Sequence, residues 1–94
     1  MVNNNLKGIE LEKQGKIEEA IKLYEYNVQH RFDGNHPYDR LAIIYHKQEK
    51  YEDEIRVLKQ AIDVFEHDLN PSRSDKSPKL ARFKEKLQKV ENKA

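Results

Sequence analysis

Apolar side chains recur three and four residues apart in five separate runs, and those runs predict five helices. Val2, Leu6, Ile9 and Leu11 mark the first, expected from Val2 to Gln14 and stopped by Gly15. Ile17, Ala20, Ile21, Tyr24 and Val28 carry a second to about Arg31. The segment Phe32-Asp33-Gly34-Asn35-His36 reads as a turn. Pro37 suits the first turn of a third helix that reaches Gln48, with Tyr38, Leu41, Ala42 and Tyr45 on one face. A fourth covers Tyr51 to about Asp68 through Ile55, Leu58, Ala61, Ile62 and Phe65. Beyond a polar loop, 69–77, Ser77 is placed to cap a last helix over 78–92, with Pro78 at its first position. In it Leu80, Phe83, Leu87 and Val90 keep helical spacing. No stretch reads as a strand, so the expected class is all-α.

Two of these runs share a phrase. EKQGKIEEAI (12–21) returns as HKQEKYEDEI (46–55), with Lys, Gln, Lys, Glu and the final Ile in the same places. Helix-turn-helix units at this 34-residue spacing resemble tetratricopeptide repeats, whose units stack to bury their apolar faces. The residues that carry the resemblance in the first unit are Gly8, Leu11, the turn glycine Gly15, Ala20 and Tyr24. In the second unit they become Ala42, Tyr45, Glu49, Glu54 and Leu58, with Tyr38 and Leu41 at the early aromatic and leucine positions. The resemblance implies an α-solenoid of two units, 1–34 and 35–68, closed by a capping helix. Departures are visible too: Asn4 and Lys7 replace the first unit's aromatic and leucine, and Asn27 replaces a small apolar residue. Glu54 stands where a small residue is usual, so its carboxylate is expected to swing outward or to widen the helix pair.

The first helix is the odd one. Positions 4, 7, 8 and 11 of a unit share the inward side, and here they are Asn4, Lys7, Gly8 and Leu11. Val2, Leu6 and Ile9 fall on the opposite side, and each forfeits about 1.5–3 kcal/mol if left in water rather than buried. Three outcomes are open. The helix rotates or frays, helped by the Asn3-Asn4-Asn5 run; a second copy covers the face; or a partner's peptide or helix does. Repeat arrays ordinarily need about three units, so a homodimer joined through Val2, Leu6 and Ile9 is expected.

The resemblance also implies a non-enzymatic protein-binding module. Its groove positions fall on Asn5, Ile9, Glu12 and Lys13 in the first unit. In the second they are Asp39, Ile43, His46 and Lys47, with Arg40 beside them. Asn5, Arg40 and Lys47 suit a peptide backbone or a carboxylate, whereas Glu12 and Asp39 disturb the positive field. The expected ligand is therefore a short extended or helical segment of another protein, read by a mixed apolar and charged groove.

Composition narrows the alternatives. At 94 residues with 36% hydrophobic and 37% charged side chains, the chain holds one domain with a thin core. A formal net charge of +1 argues against a general polyanion binder. The charge is uneven, however: eight of the 18 basic side chains fall in 73–94, against three of the 17 acidic ones. Lys79, Arg82, Lys86, Lys89 and Lys93 form a stripe that makes a nucleic-acid accessory role the alternative, weakened by the lack of aromatics along it. The same stripe suits an acidic protein partner or a solvated cap. There is no cysteine, phosphate-binding glycine loop or nucleophile elbow. The four histidines lack the spacing of a metal pair, so neither enzyme nor cofactor is expected. No apolar run is long enough to cross a membrane, and the first ten residues lack a signal-peptide core, so the expected location is the cytoplasm.

Overall fold

The computed structural model describes residues 1–93 and consists of five α-helices, with no strand among those residues. They are α1 (Val2–Lys13), α2 (Ile17–Gln29), α3 (His36–Lys47), α4 (Tyr51–His67) and α5 (Lys76–Glu91). Helices next to one another in sequence pack together throughout, which is the low-cost outcome for short connections.

The first three helices end alike. The N–H of Lys16 reaches the carbonyl of Leu11 at 2.8 Å, and that of Gly15 reaches Glu12 at 3.0 Å. Phe32 with Asn27, and Lys50 with Tyr45, repeat the first of these bonds, closing each helix with a Schellman turn. Such a turn needs one left-handed residue. Gly15 takes it with φ 78°, but Arg31 (φ 54°) and Glu49 (φ 58°) take it with a Cβ attached.

Polar cross-links arrange the helices in two rows. Arg40 on α3 forks onto Glu12 of α1, and Arg82 on α5 reaches Asp39 of α3 at 2.7 Å. On the other side Arg56 of α4 bonds Glu25 of α2, and Arg31 bonds Asp63 and Asp68 at 2.8 and 2.7 Å. Between the rows Tyr24, Tyr38, Phe65 and Phe83 are fully buried. Phe83 of α5 meets Phe65 and Tyr38 edge-on at 5.2 and 6.3 Å, which pins the last helix to both α4 and α3. Leu80 and Leu87 are half-buried beside it.

Three local expectations are corrected. Helix α5 begins at Lys76 rather than Pro78, and Asp75 rather than Ser77 precedes it. Pro78 still lies within the first turn, where no backbone donor is needed. The carboxylate of Asp75 bonds Arg73 and Lys79 instead of the helix end, and these two cations hold its pKa at about 2. Second, Glu54 does not swing outward. It is 7% exposed, and its carboxylate accepts a hydrogen bond from His46 Nδ1 at 3.0 Å across the turn between α3 and α4. Third, the asparagine run does not fray α1. Asn27 of α2, fully buried, donates to Asn5 Oδ1 and to the carbonyl of Met1, both at 2.9 Å. The apparent weak start is a polar clasp, and the substitution at Asn27 is what completes it.

Candidate functional site

Helices α3 and α5 splay to leave a groove of about 230 Å³. Ala42 and Ile43 from α3 and Val90 from α5 give it an apolar floor. Lys86 and Lys89 rise along the α5 side three residues apart, and Lys93, in the turn just beyond the helix, extends the rim. His46 closes the α3 side, and Glu54 lies beneath it. The spacing of Ile43 and His46, one turn apart, puts them on the same edge of α3. The α5 geometry follows from Phe83 and Val90, whose burial turns the lysines toward α3.

The cations are partly committed. Arg82 and Lys86 both approach Asp39, at 2.7 and 3.7 Å, and Asn35 donates to the same carboxylate at 2.6 Å. Lys79 bonds Asn35 and Asp75, and Lys89 pairs with Glu85 at 3.2 Å. The Lys89–Glu85 pair is exposed and worth about 0–1 kcal/mol, so an incoming carboxylate displaces it at little cost, whereas Asp39, with its side chain only 15% exposed, holds Arg82 and Lys86. What persists is the excess of positive charge along the α5 rim.

The other half of the predicted groove is used differently. Glu12 is mostly buried between α1, α2 and α3, accepting from Tyr24 Oη at 2.6 Å and from the guanidinium of Arg40. Burial raises its pKa, but the hydrogen bonds from Arg40 and Tyr24 outweigh burial and leave the carboxyl below its ordinary value. Beside it, burial and then the charge of Arg40 push His36 below its usual range. Tyr24 is driven upward by burial and by its bond to Glu12, so it stays a protonated donor. This cluster ties helices together and leaves only a shallow depression bordered by Ile9, Lys13, His36 and Arg40.

The sequence-derived residues therefore divide. Ile43 and His46 lie in the groove, and Lys86, Lys89 and Lys93 of the basic stripe join them. Glu12 and Arg40 face each other, Asp39 faces Arg82, and Lys47 is exposed outside the groove lining. Asn5, expected in the groove, is 8% exposed and accepts from Asn27 at 2.9 Å instead, so its side chain belongs to the clasp. Val2 and Leu6 are 62% and 61% exposed, but Ile9 is half-buried on the α3 side and does not continue their face. Val90 and Ala42 are not legible as groove residues in the sequence, since each reads simply as a core position of its own helix.

Among the described residues, no group of three His, Asp or Glu side chains is placed to hold a metal ion, and no helix is long and apolar enough to cross a membrane. Compared with protein-family models, with curated proteins and with solved structures, the chain matches none of them.

Proposed function

We propose that this chain is a protein-interaction module of two tetratricopeptide-like units and a capping helix, and that the groove between α3 and α5 receives a segment of another protein. The observation that carries the reading is the groove itself: an apolar floor at Ala42, Ile43 and Val90 under a rim of Lys86, Lys89 and Lys93. An apolar floor rewards one anchoring side chain, and a cationic rim selects acidic neighbours on either side of it. Two features support the repeat reading. The left-handed residue of the first turn, Gly15, has its counterpart at Glu49, 34 positions on. The buried positions Gly8, Ala20, Tyr24 and Asn27 likewise map onto buried Ala42, Glu54, Leu58 and Ala61. Nucleic acid is the less favoured partner, since the basic stripe carries no aromatic side chain on which a base could stack. Its working compartment in this reading is the cytoplasm, and no chemical step is assigned to it.

The test is a titration with acidic peptides that carry a single Leu, Ile or Phe, followed by amide and methyl NMR shifts. Binding should perturb Ile43 and Val90, weaken with salt, and disappear in the double variant Ile43→Asp, Lys89→Glu. Peptides that bind without moving those signals, or that fail to bind where duplex or single-stranded oligonucleotides succeed, would rule the reading out.

A further inference from the structure

Three glutamates are drawn in between helices, Glu12, Glu25 and Glu54, with side chains 13%, 18% and 9% exposed. The first two are served alike. Tyr24 Oη donates to Glu12 and Tyr45 Oη donates to Glu25, each at 2.6 Å. An arginine also forks onto each carboxylate, Arg40 onto Glu12 and Arg56 onto Glu25. Glu54, the most buried of the three, has neither a phenol nor an arginine. It accepts one hydrogen bond, from His46 Nδ1 to Oε1. Its other oxygen, Oε2, has no hydrogen-bond partner among the described residues. Nor does Oε2 belong to the fully sealed atoms that go unpaired, which are His36 Nε2, Asp39 Oδ1 and Gln48 Oε1, so it keeps an opening to solvent. The space that Glu54 lines is the α3–α5 groove.

An oxygen this deep and unbonded favours a ligand that brings it a donor, because burial has removed most of the water that would otherwise serve it. Three features decide which donor. The floor of Ala42, Ile43 and Val90 is apolar, so the donor must ride on a side chain with an apolar body. Lys86, Lys89 and Lys93 stand over the groove and repel an arriving ammonium or guanidinium, so the donor is neutral. The groove, about 230 Å³, falls short of the roughly 300–1,000 Å³ typical of small-molecule sites, so it holds one side chain of a larger partner. A phenol meets all three conditions, with a ring for the floor and a hydroxyl at its tip. It would repeat the bond that Tyr24 and Tyr45 already make to Glu12 and Glu25.

We propose that the segment received by the α3–α5 groove is anchored by a tyrosine, whose ring lies on Ala42, Ile43 and Val90 and whose hydroxyl donates to Glu54. Acidic neighbours of that tyrosine meet Lys86, Lys89 and Lys93. Given the groove as the binding site, on which this assignment rests, the tyrosine supplies the identity of the anchor. The apolar floor alone leaves that open among Leu, Ile, Phe and Tyr. A buried acceptor closes the choice, since an analogue lacking the donor leaves it unpaired.

Two acidic peptides that differ only in Tyr or Phe at the anchor test this, titrated by calorimetry and NMR against the wild-type chain and against Glu54→Gln. On the wild type the Tyr peptide should bind at least about tenfold more tightly, the lower end of what a hydrogen bond to a charged group supplies. It should also move the carboxyl carbon resonance of Glu54, which the Phe peptide should leave in place. In Glu54→Gln, which keeps the shape of the side chain, the preference should shrink to about threefold or less. Equal affinities with both peptides perturbing Ile43 and Val90, a Glu54 shift common to both, or a preference that survives Glu54→Gln would overturn the tyrosine anchor and leave the groove as a binding site. If neither peptide perturbs Ile43 and Val90, the groove reading falls and the tyrosine anchor with it.

Discussion

Gly8 sits where α1 crosses α2, over the ring of Tyr24. A methyl group built there would lie 2.5 Å from Cζ and 2.9 Å from the hydroxyl oxygen of Tyr24, and closer still to Cε1. Replacing Gly8 by alanine therefore sets two effects against each other. Alanine in a helix interior is better than glycine by about 1 kcal/mol, which alone would stabilise the protein. The overlap must be relieved by moving a ring that is fully buried and packed edge-on near His36 at 5.5 Å. Overpacking of this kind costs about 1–3 kcal/mol. If the ring moves, its hydroxyl leaves Glu12, and a lost hydrogen bond to a charged group costs about 1.5–3 kcal/mol more. The steric and hydrogen-bond losses win, and we expect a net destabilisation of about 2 kcal/mol.

For a chain of this size that is a fall in Tm of roughly 8–16 °C, read by thermal and urea unfolding at 222 nm. A double-mutant cycle separates the causes. Tyr24→Leu is destabilising alone, because it opens a cavity and strands Glu12, but in that background Gly8→Ala should turn neutral or favourable. If Gly8→Ala raises the stability of the wild-type protein, the close crossing of α1 and α2 is wrong, and with it the register of the first helix.

Glu49→Gly should stabilise the protein by about 0.5–1 kcal/mol. It removes the strain of a left-handed side chain and leaves an exposed position otherwise untouched, so the urea midpoint should rise with an unchanged slope. Stability should also fall in acid in two steps. His36 is held below its ordinary value of 6.5, so the unfolded chain takes up a proton first and stability drops as pH falls below about that value. Glu12 is held below 4.5, and its contribution is present above that pH and lost as pH falls through the lowered folded value. Urea midpoints across pH should lose the upper step in His36→Gln and the lower one in Glu12→Gln; a midpoint that rises on acidification would contradict both signs.

What the chain discloses by itself depends on the range of the interaction. The five helices are legible because their spacing is local: Ile17, Ala20, Ile21, Tyr24 and Val28 declare a face within a dozen residues. The turn after α3 is legible by comparison, since Glu49 occupies the place of Gly15 and adopts its backbone. Pairings between distant polar residues are not. Asn27 and Asn5 each look like a defect in its own helix, and only their contact, 22 residues apart, makes them a clasp. Glu54 likewise looks misplaced until His46 stands over it. The groove was half legible. Ile43 and His46 fall on one edge of α3, and Lys86 and Lys89 on one stripe of α5, with Lys93 in the turn beyond it. That the two edges face each other is decided by Phe83 wedging between Tyr38 and Phe65, a three-body contact with no sequence period.

The α3–α5 groove is small, and a single anchor on its floor, rimmed by exposed charges, gives modest affinity. The uneven composition has a structural counterpart: the basic residues crowded into 73–94 supply Lys86, Lys89 and Lys93, the whole cationic rim of the proposed groove.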